Sequence, residues 1–472
     1  MKTLQRRHHP VISALLLCTS LAAAAVHAQS PAPAPWGTYE KLFSAQSPWN
    51  SRPVNPVLDP AITIPADAYE PTVAGGAYST GVFRALPTDG PMTVYGPNAT
   101  TGVADPDSGG SRNITIPRWP SGMIAATSTD GHAEIVDTEA GVVHSFWKLA
   151  RTNGVWRAAL YSWSPLNGSG FGDPAHYHQG ARATGVPISA GIIRKHELTD
   201  GKPSYGHALA ISLAASGLTN GTTAPAYVYP ATSADVSTGN NTGGIAEGSL
   251  LMLPAGFDDR AIVHPQLKRI VATLKSHGAY VVDRNVATPF VVYVENGANF
   301  NLMPKGGDNN VVAQLRLIRA GLRKVTSAAS WVDGDGNVKA DMEACNLLSM
   351  RGPWLRQSGP TIGVFDTLQQ EIVFPTTTQE ITQANTSSTG LTKVAWAQPA
   401  EGAAMRFTSV ATGDASVRMQ LTVAGAIVYD SNFITDGQST TFVWPSGPVR
   451  VTLLARSGVG HASTVKGLLT AE

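Results

Sequence analysis

Residues 131–149 read GHAEIVDTEAGVVHSFWKL, and this run gathers two histidines, two glutamates, an aspartate and a tryptophan. A carboxylate with an imidazole supplies proton transfer, and an indole supplies a stacking surface for a sugar ring. If TEAG closes a four-residue loop, Asp137 and Val142 bracket a hairpin. Val136 then lies opposite Val143, Glu134 opposite Ser145, and His132 opposite Trp147. Side chains alternate across a strand, so these six share one face. Ala133, Ile135, Asp137, Val142, His144 and Phe146 take the other. His132, Glu134, Ser145 and Trp147 therefore form one mixed patch, expected to line a site, while the opposite face closes a core.

A second chemical stretch is GVPISAGIIRKHELTDGKPSYGHALAISL, residues 185–213. GHALAISL reads as a strand with His207, Leu209, Ile211 and Leu213 on one face. His207 is either a core histidine or one that enters a cleft at the strand's start. Arg194 and Glu197 lie before it in a loop, where the plain alternative is a local ion pair.

The elements that must hold these groups are mostly strands. Charged residues are 14% of the 472-residue chain, while Gly (47) and Pro (32) are plentiful, a balance that suits a turn-rich β protein. Strands are predicted at GHAEIVD, VVHSFWKL, GVWRAALYSW, GHALAISL, AYVYP and AYVVD. HPQLKRIVATLKSHG is a helix, with Leu267, Ile270, Val271 and Leu274 at helical spacing and Gly278 as its C-terminal cap. A second helix starts near Asn310. From about Ala395 the alternation in MRFTSV, SVRMQLTV, AIVYD, TTFVW and VRVTLLA marks a small all-β module. The fold expected is mainly β: a jelly-roll-like β-sandwich with one or two packed helices, then a small C-terminal β-sandwich. The divisions are a signal peptide over 1–28, a Pro-rich leader over 29–41, the main domain over 42–300, a helical extension over 301–375, a Thr/Ser-rich linker over 376–394 and the β module over 395–472.

Lys2, Arg6 and Arg7 precede the apolar run VISALLLCTSLAAAAV, which is short for a membrane span, and Val26-His27-Ala28 suits cleavage. This predicts secretion to the periplasm or beyond. Cleavage leaves 31 basic against 33 acidic side chains, so nothing favours nucleic acid or an anionic membrane. Cys345 then stands alone, without an internal disulfide.

Several blocks resemble, in order, those of a family of secreted, mostly uncharacterised bacterial and fungal proteins. FSAQSPWN resembles its Asp/Asn-x-x-W-N segment, and GHAEIVD its H-x-L-V-x-D strand. TGVPISAGIIRKHEL resembles A-G-L-P-x-x-x-G-L-x-R-x-x-E-x, and GHALAISL resembles H-A-L-R-x. The likeness spans about residues 42–295 and leaves out the terminal module. It singles out His132, Asp137, Arg194, Glu197 and His207. Here the acid sits at Glu134 and the serine at Ser145, where the family carries an apolar residue and an acid; these are cross-strand partners, so the carboxylate stays on one face.

Other motifs are weaker. DPAHYHQG places Asp173, His176 and His178 together, but no third metal ligand follows at evident spacing, so a polar loop is the better reading. DGDGNVKAD opens like a calcium loop but has Val338 at the sixth position, and reads as a turn. No motif implies a cofactor. The chain is therefore expected to be a secreted carbohydrate-active enzyme. A glycoside hydrolase would use Glu134 with Glu197, or with Asp137, which points to the opposite face. A lyase acting on uronic acids would use His132 or His207 with Arg194. A non-catalytic glycan-binding or envelope protein would use Trp147 and the terminal module, whose own partner is a glycan or a protein.

Overall fold

The computed structural model describes residues 34–472, apart from 99, 223, 236–237, 299, 303–308, 340–344, 361–365 and 368. The signal peptide and most of the Pro-rich leader lie outside the described residues. Pro35–Glu472 is one compact unit.

The fold is mainly β, with two α-helices among the described residues. In a six-stranded sheet the order is Val82–Arg84, Ala133–Asp137, Val142–Trp147, Leu160–Pro165, Val103–Asp105 and Gly110–Arg112. An eight-stranded sheet has Phe290–Tyr293, Leu209–Ala214, Ala279–Asn285 and Leu250–Met252 at its centre. Both sheets are mixed: Leu209–Ala214 runs parallel to Ala279–Asn285, and Val82–Arg84 runs parallel to Ala133–Asp137.

The core between these sheets gathers Val82, Val136 and Val143 from one and Ala210, Leu250, Tyr280, Val282 and Tyr293 from the other. Trp49 sits at its centre, stacked on Phe171 at 4.7 Å and edge-on to Tyr280 at 5.3 Å. Its indole N–H donates to the Gly170 carbonyl at 2.9 Å, so the buried polar tip is satisfied. Gly191 has φ +69°, and a Cβ there would lie 2.2 Å from the Trp49 ring; only glycine fits. Helices Pro265–Ser276 and Asn309–Gly321 cover the far face of the eight-stranded sheet through Leu267, Ile270, Val271, Leu315 and Ile318. The first helix ends where predicted, with Gly278 at φ +76° and its N–H on the Thr273 carbonyl at 3.0 Å.

The hairpin has the expected register: Val143 pairs with Val136 and Ser145 with Glu134. Its two faces serve two cores. Val136 and Val143 meet the Trp49 cluster, whereas Ala133, Ile135 and Phe146 pack with Trp119 and Tyr161.

Some predicted elements differ. GVWRAALYSW splits into Val155–Arg157, which folds back on Ala150–Thr152, and Leu160–Pro165. AYVYP yields only an isolated bridge from Tyr227 to Glu247 before Pro230, which has no N–H to extend a ladder. The segment 301–375 is not a separate helical extension. Its helix packs on the main sheet and Arg323–Ser327 pairs with Leu250–Met252, while Gly352–Ser358 belongs to the terminal sandwich. Inside the expected linker, Thr382–Asn385 pairs with both Gly352–Ser358 and Val449–Arg456. Threonine suits a pleated strand, and Asn385 Oδ1 accepts the Leu453 N–H at 2.9 Å, so a polar composition here encodes a strand.

The terminal sandwich is joined to the main domain by a buried ionic joint. Arg351 donates from Nη1 to Asp107 and from Nη2 to Asp105. His176 Nδ1 meets Asp107 at 2.9 Å and its Nε2 meets the Trp163 carbonyl at 2.9 Å. All four charged or titratable groups are at most 2% exposed.

Candidate functional site

Most residues singled out by sequence are locked into the scaffold. Glu134 and Ser145 are wholly buried. Ser145 donates its hydroxyl to the Glu134 carboxylate, which also accepts the backbone N–H groups of Ile188 at 2.6 Å and Ser189 at 2.7 Å. Burial pushes the Glu134 pKa up, against the pull of these donors. The carboxylate thus pins the 185–193 loop to the hairpin. Asp137 takes both Nε contacts of Arg118, at 2.9 and 3.1 Å, and accepts the Ala140 N–H at 3.0 Å, holding the hairpin turn. Trp147 lies half-buried, with its indole N–H on Asp130 at 3.2 Å and the Lys148 ammonium 4.2 Å over its ring.

The loop stretch forms a second lock. Arg194 does not pair with Glu197 through its guanidinium; it reaches Glu295 at 2.9 Å and the Tyr39 carbonyl at 3.2 Å, while its backbone N–H donates to Glu197 at 2.8 Å. The strand starts at Leu209, which leaves His207 just ahead of it to meet Glu197 at 3.1 Å. Its other ring nitrogen faces the Ala208 carbonyl at 2.8 Å. Both nitrogens therefore donate, as an imidazolium does. Burial opposes both charges. Glu197 nonetheless overrides it to raise the His207 pKa, and His207 draws Glu197 down to about 2. Glu134 and Glu197 belong to separate networks, so the expected carboxylate pair is not assembled. His176 has both nitrogens engaged in the ionic joint, and no cluster of metal-ligating side chains occurs among the described residues.

A different cluster has the properties of a site, and it begins with a fault in the sheet. Along the parallel pair, Ile211 faces Val281 but Ser212 faces Asp283, so Val282 is an extra residue. Such bulges re-aim side chains. The Val282 carbonyl accepts the Thr184 hydroxyl at 2.9 Å, which ties the 182–186 segment over the bulge. From that segment Arg182 reaches Asp283 Oδ2 at 2.9 Å and the Tyr78 carbonyl at 3.0 Å, with its guanidinium 3.9 Å over the Tyr293 ring.

Two carboxylates converge next to it. The Arg284 backbone N–H donates to Asp283 Oδ1 at 3.0 Å and to Asp235 Oδ2 at 3.2 Å. Asp235 in turn offers its N–H to Glu247 at 3.3 Å. Burial raises the Asp283 pKa to about 6, with Arg182 opposing and Asp235 adding. Burial, then Asp235 and Asp283, hold Glu247 well above the ordinary carboxyl range. Asp283 keeps 21% of its side chain exposed, so the cluster has a wet edge. His132 is 4% exposed, and burial followed by the Arg182 charge lowers its pKa to about 3. Asp283 and Glu247 with raised proton affinities, a third carboxylate and an arginine form the chemically richest assembly among the described residues. The only sequence cue to it was an acid, Asp283, ending the apolar strand AYVVD.

No family model matches the chain, and no curated protein matches it. Four solved chains do match. One is from a crystal structure of accessory secretory protein 1, 2 and 3 of Streptococcus pneumoniae, at 7% identity and TM-score 0.15, covering 22% of this chain and 87% of that one. A likeness that faint carries no argument about fold or function.

Proposed function

We propose that this protein is a secreted glycoside hydrolase, with Asp283 as the general acid and Asp235 as the nucleophile. The observation that carries this reading is that Asp283 and Asp235 accept the same Arg284 N–H, at 3.0 and 3.2 Å. Two acceptor oxygens on one donor lie no more than about 6 Å apart, closer than the pair of an inverting enzyme. Asp283, with its pKa raised to about 6, delivers a proton to the glycosidic oxygen as the C–O bond breaks. Asp235 closes on the anomeric carbon, and a water molecule then hydrolyses that ester while Asp283 takes the water's proton. Tyr78, 63% exposed beside Arg182, offers a ring for sugar stacking.

The test is incubation of the mature protein with a panel of neutral and uronic-acid polysaccharides, following reducing ends and ultraviolet absorbance together. New reducing ends without absorbance support the hydrolase. An unsaturated, absorbing product supports the lyase reading, with Arg182 and His132 as its residues in place of Arg194 and His207. Binding without turnover supports the glycan-binding reading.

A further inference from the structure

We propose that Arg182 is a positioning residue for Asp283: it fixes one oxygen of that carboxyl group and governs how readily the group keeps its proton. The catalytic use of that proton rests on the hydrolase reading of Asp283; the hold of Arg182 on it does not.

Both oxygens of Asp283 are engaged. Oδ1 accepts the Arg284 N–H at 3.0 Å, the donor it shares with Asp235, and Oδ2 accepts from Arg182 Nη1 at 2.9 Å. With a restraint on each oxygen, the carboxyl plane cannot turn without breaking a hydrogen bond. Arg182 is itself held on several sides. Nη1 also donates to the Tyr78 carbonyl at 3.0 Å, and the Tyr293 ring lies 3.9 Å from the guanidinium. Its backbone N–H donates to the Val186 carbonyl at 3.2 Å. The Tyr78 loop is pinned in turn, with Ser79 Oγ donating to the Val294 carbonyl at 2.6 Å and the Gly76 N–H donating to Asn296 Oδ1 at 2.5 Å. The cation is thus delivered to Asp283 by fixed parts of the scaffold.

Its charge is spent on that one acid. Arg182 is 2% exposed, and among the described residues Asp283 is the carboxylate that pairs with it. A guanidinium sheltered from water is little screened, so it favours the ionised form of its partner. The other ionisable groups packed round Asp283 act differently. Asp235, on the same backbone N–H, favours the protonated form. Glu247 lies behind Asp235, whose N–H faces it at 3.3 Å, and is itself held well above the ordinary carboxyl range. Arg284 directs its Nε to Asn241 Oδ1 at 3.0 Å, and Tyr293 lies on the far side of the Arg182 guanidinium. Burial and Asp235 therefore pull the Asp283 proton one way and Arg182 the other. Without Arg182 the acid would keep its proton to higher pH and lose the restraint on Oδ2.

The experiment is carbon-13 NMR of the aspartate carboxyl groups, with nitrogen-15 NMR of the arginine side chains, in the whole mature protein across pH. No substrate is needed. Asp283→Asn identifies the Asp283 signal, and Arg182→Lys the Arg182 signal. In wild type, the Asp283 carboxyl carbon and Arg182 Nη1 should titrate with one common midpoint. In Arg182→Gln the midpoint should rise by about one to three pH units, and in Arg182→Lys, which keeps a cation, by less. On a cleaved glycan, the alkaline limb of kcat/KM should rise with it, whereas a residue that merely braces the fold would lower activity equally at every pH. An unchanged midpoint in a folded Arg182→Gln protein overturns the proposal, as do equal midpoints in the Gln and Lys variants. If neither variant folds, the wild-type titration decides, and separate midpoints for the two groups overturn it. Linked titration without cleavage of any polysaccharide keeps the hold of Arg182 and removes the hydrolase. Cleavage whose alkaline limb stays put while the Asp283 midpoint rises keeps that hold and removes Asp283 as the acid.

Discussion

Asp283 and Asp235 hang on one backbone N–H, that of Arg284, although 48 residues of chain separate them. The arrangement fixes both carboxylates to the end of one strand. It also sets the most direct prediction. Asp283→Asn and Asp235→Asn should each reduce kcat by about a hundred- to ten-thousand-fold on a cleaved glycan, with affinity for that glycan nearly kept. The pH profile adds a sign: an acid catalyst must hold its proton, so kcat/KM should fall as pH rises through about 6. A variant with wild-type turnover would remove that residue from the mechanism.

Glu134 gives the opposite expectation. Its carboxylate accepts from Ser145, Ile188 and Ser189, and no part of it is exposed. Glu134→Gln replaces one acceptor oxygen by a donor facing N–H groups. The cost should be about 1–3 kcal/mol of folding stability. Turnover per folded molecule should be unchanged, as checked by urea denaturation beside an active-fraction assay.

The Glu197–His207 pair should report through stability against pH. A raised histidine stabilises fully below its ordinary value of 6.5, and that contribution is lost as pH climbs through the raised value. A lowered glutamate stabilises above its ordinary 4.5, and loses the contribution as pH falls toward about 2. Wild type and His207→Gln should therefore differ most between about pH 4.5 and 6.5, by roughly 1.5–3 kcal/mol, and converge at high pH. Thermal melts across this range would measure it; a difference that grows at alkaline pH would contradict the ion pair.

Arg351 supplies a fourth test. Arg351→Met removes the shared guanidinium and leaves buried Asp107 with His176 and Asp105 with Arg112 alone, a loss of about 3–5 kcal/mol. Because the joint links the terminal sandwich to the main domain, calorimetry should show one transition in wild type and two in the variant. A single, slightly shifted transition would mean that other contacts hold the modules.

Local patterning made much of the scaffold legible. The hairpin register follows from alternation and a four-residue turn, and the helix over Pro265–Ser276 from its apolar spacing and Gly278. The terminal strands follow from strict alternation, as in Ala404–Thr412. What stayed hidden depends on distant pairing. The strand Thr382–Asn385 is polar in composition and gains its place only from neighbours on both sides. Glu134, His207 and Arg194 were sound choices by residue type, yet their partners, Ile188, Glu197 and Glu295, decide that they brace rather than react. Asp235, Glu247 and Arg182 meet Asp283 through a bulge and two loops, which no periodicity encodes.

Trp49 bears on how the chain reaches this state. Its seat is completed by Phe171, Gly191 and Tyr280, so no nascent fragment shorter than 280 residues can close the central core. An early-emerging tryptophan must wait, with its strands, for late-emerging partners, and closing such long loops is slow. During synthesis the central core therefore stays open until more than half the polypeptide has been made.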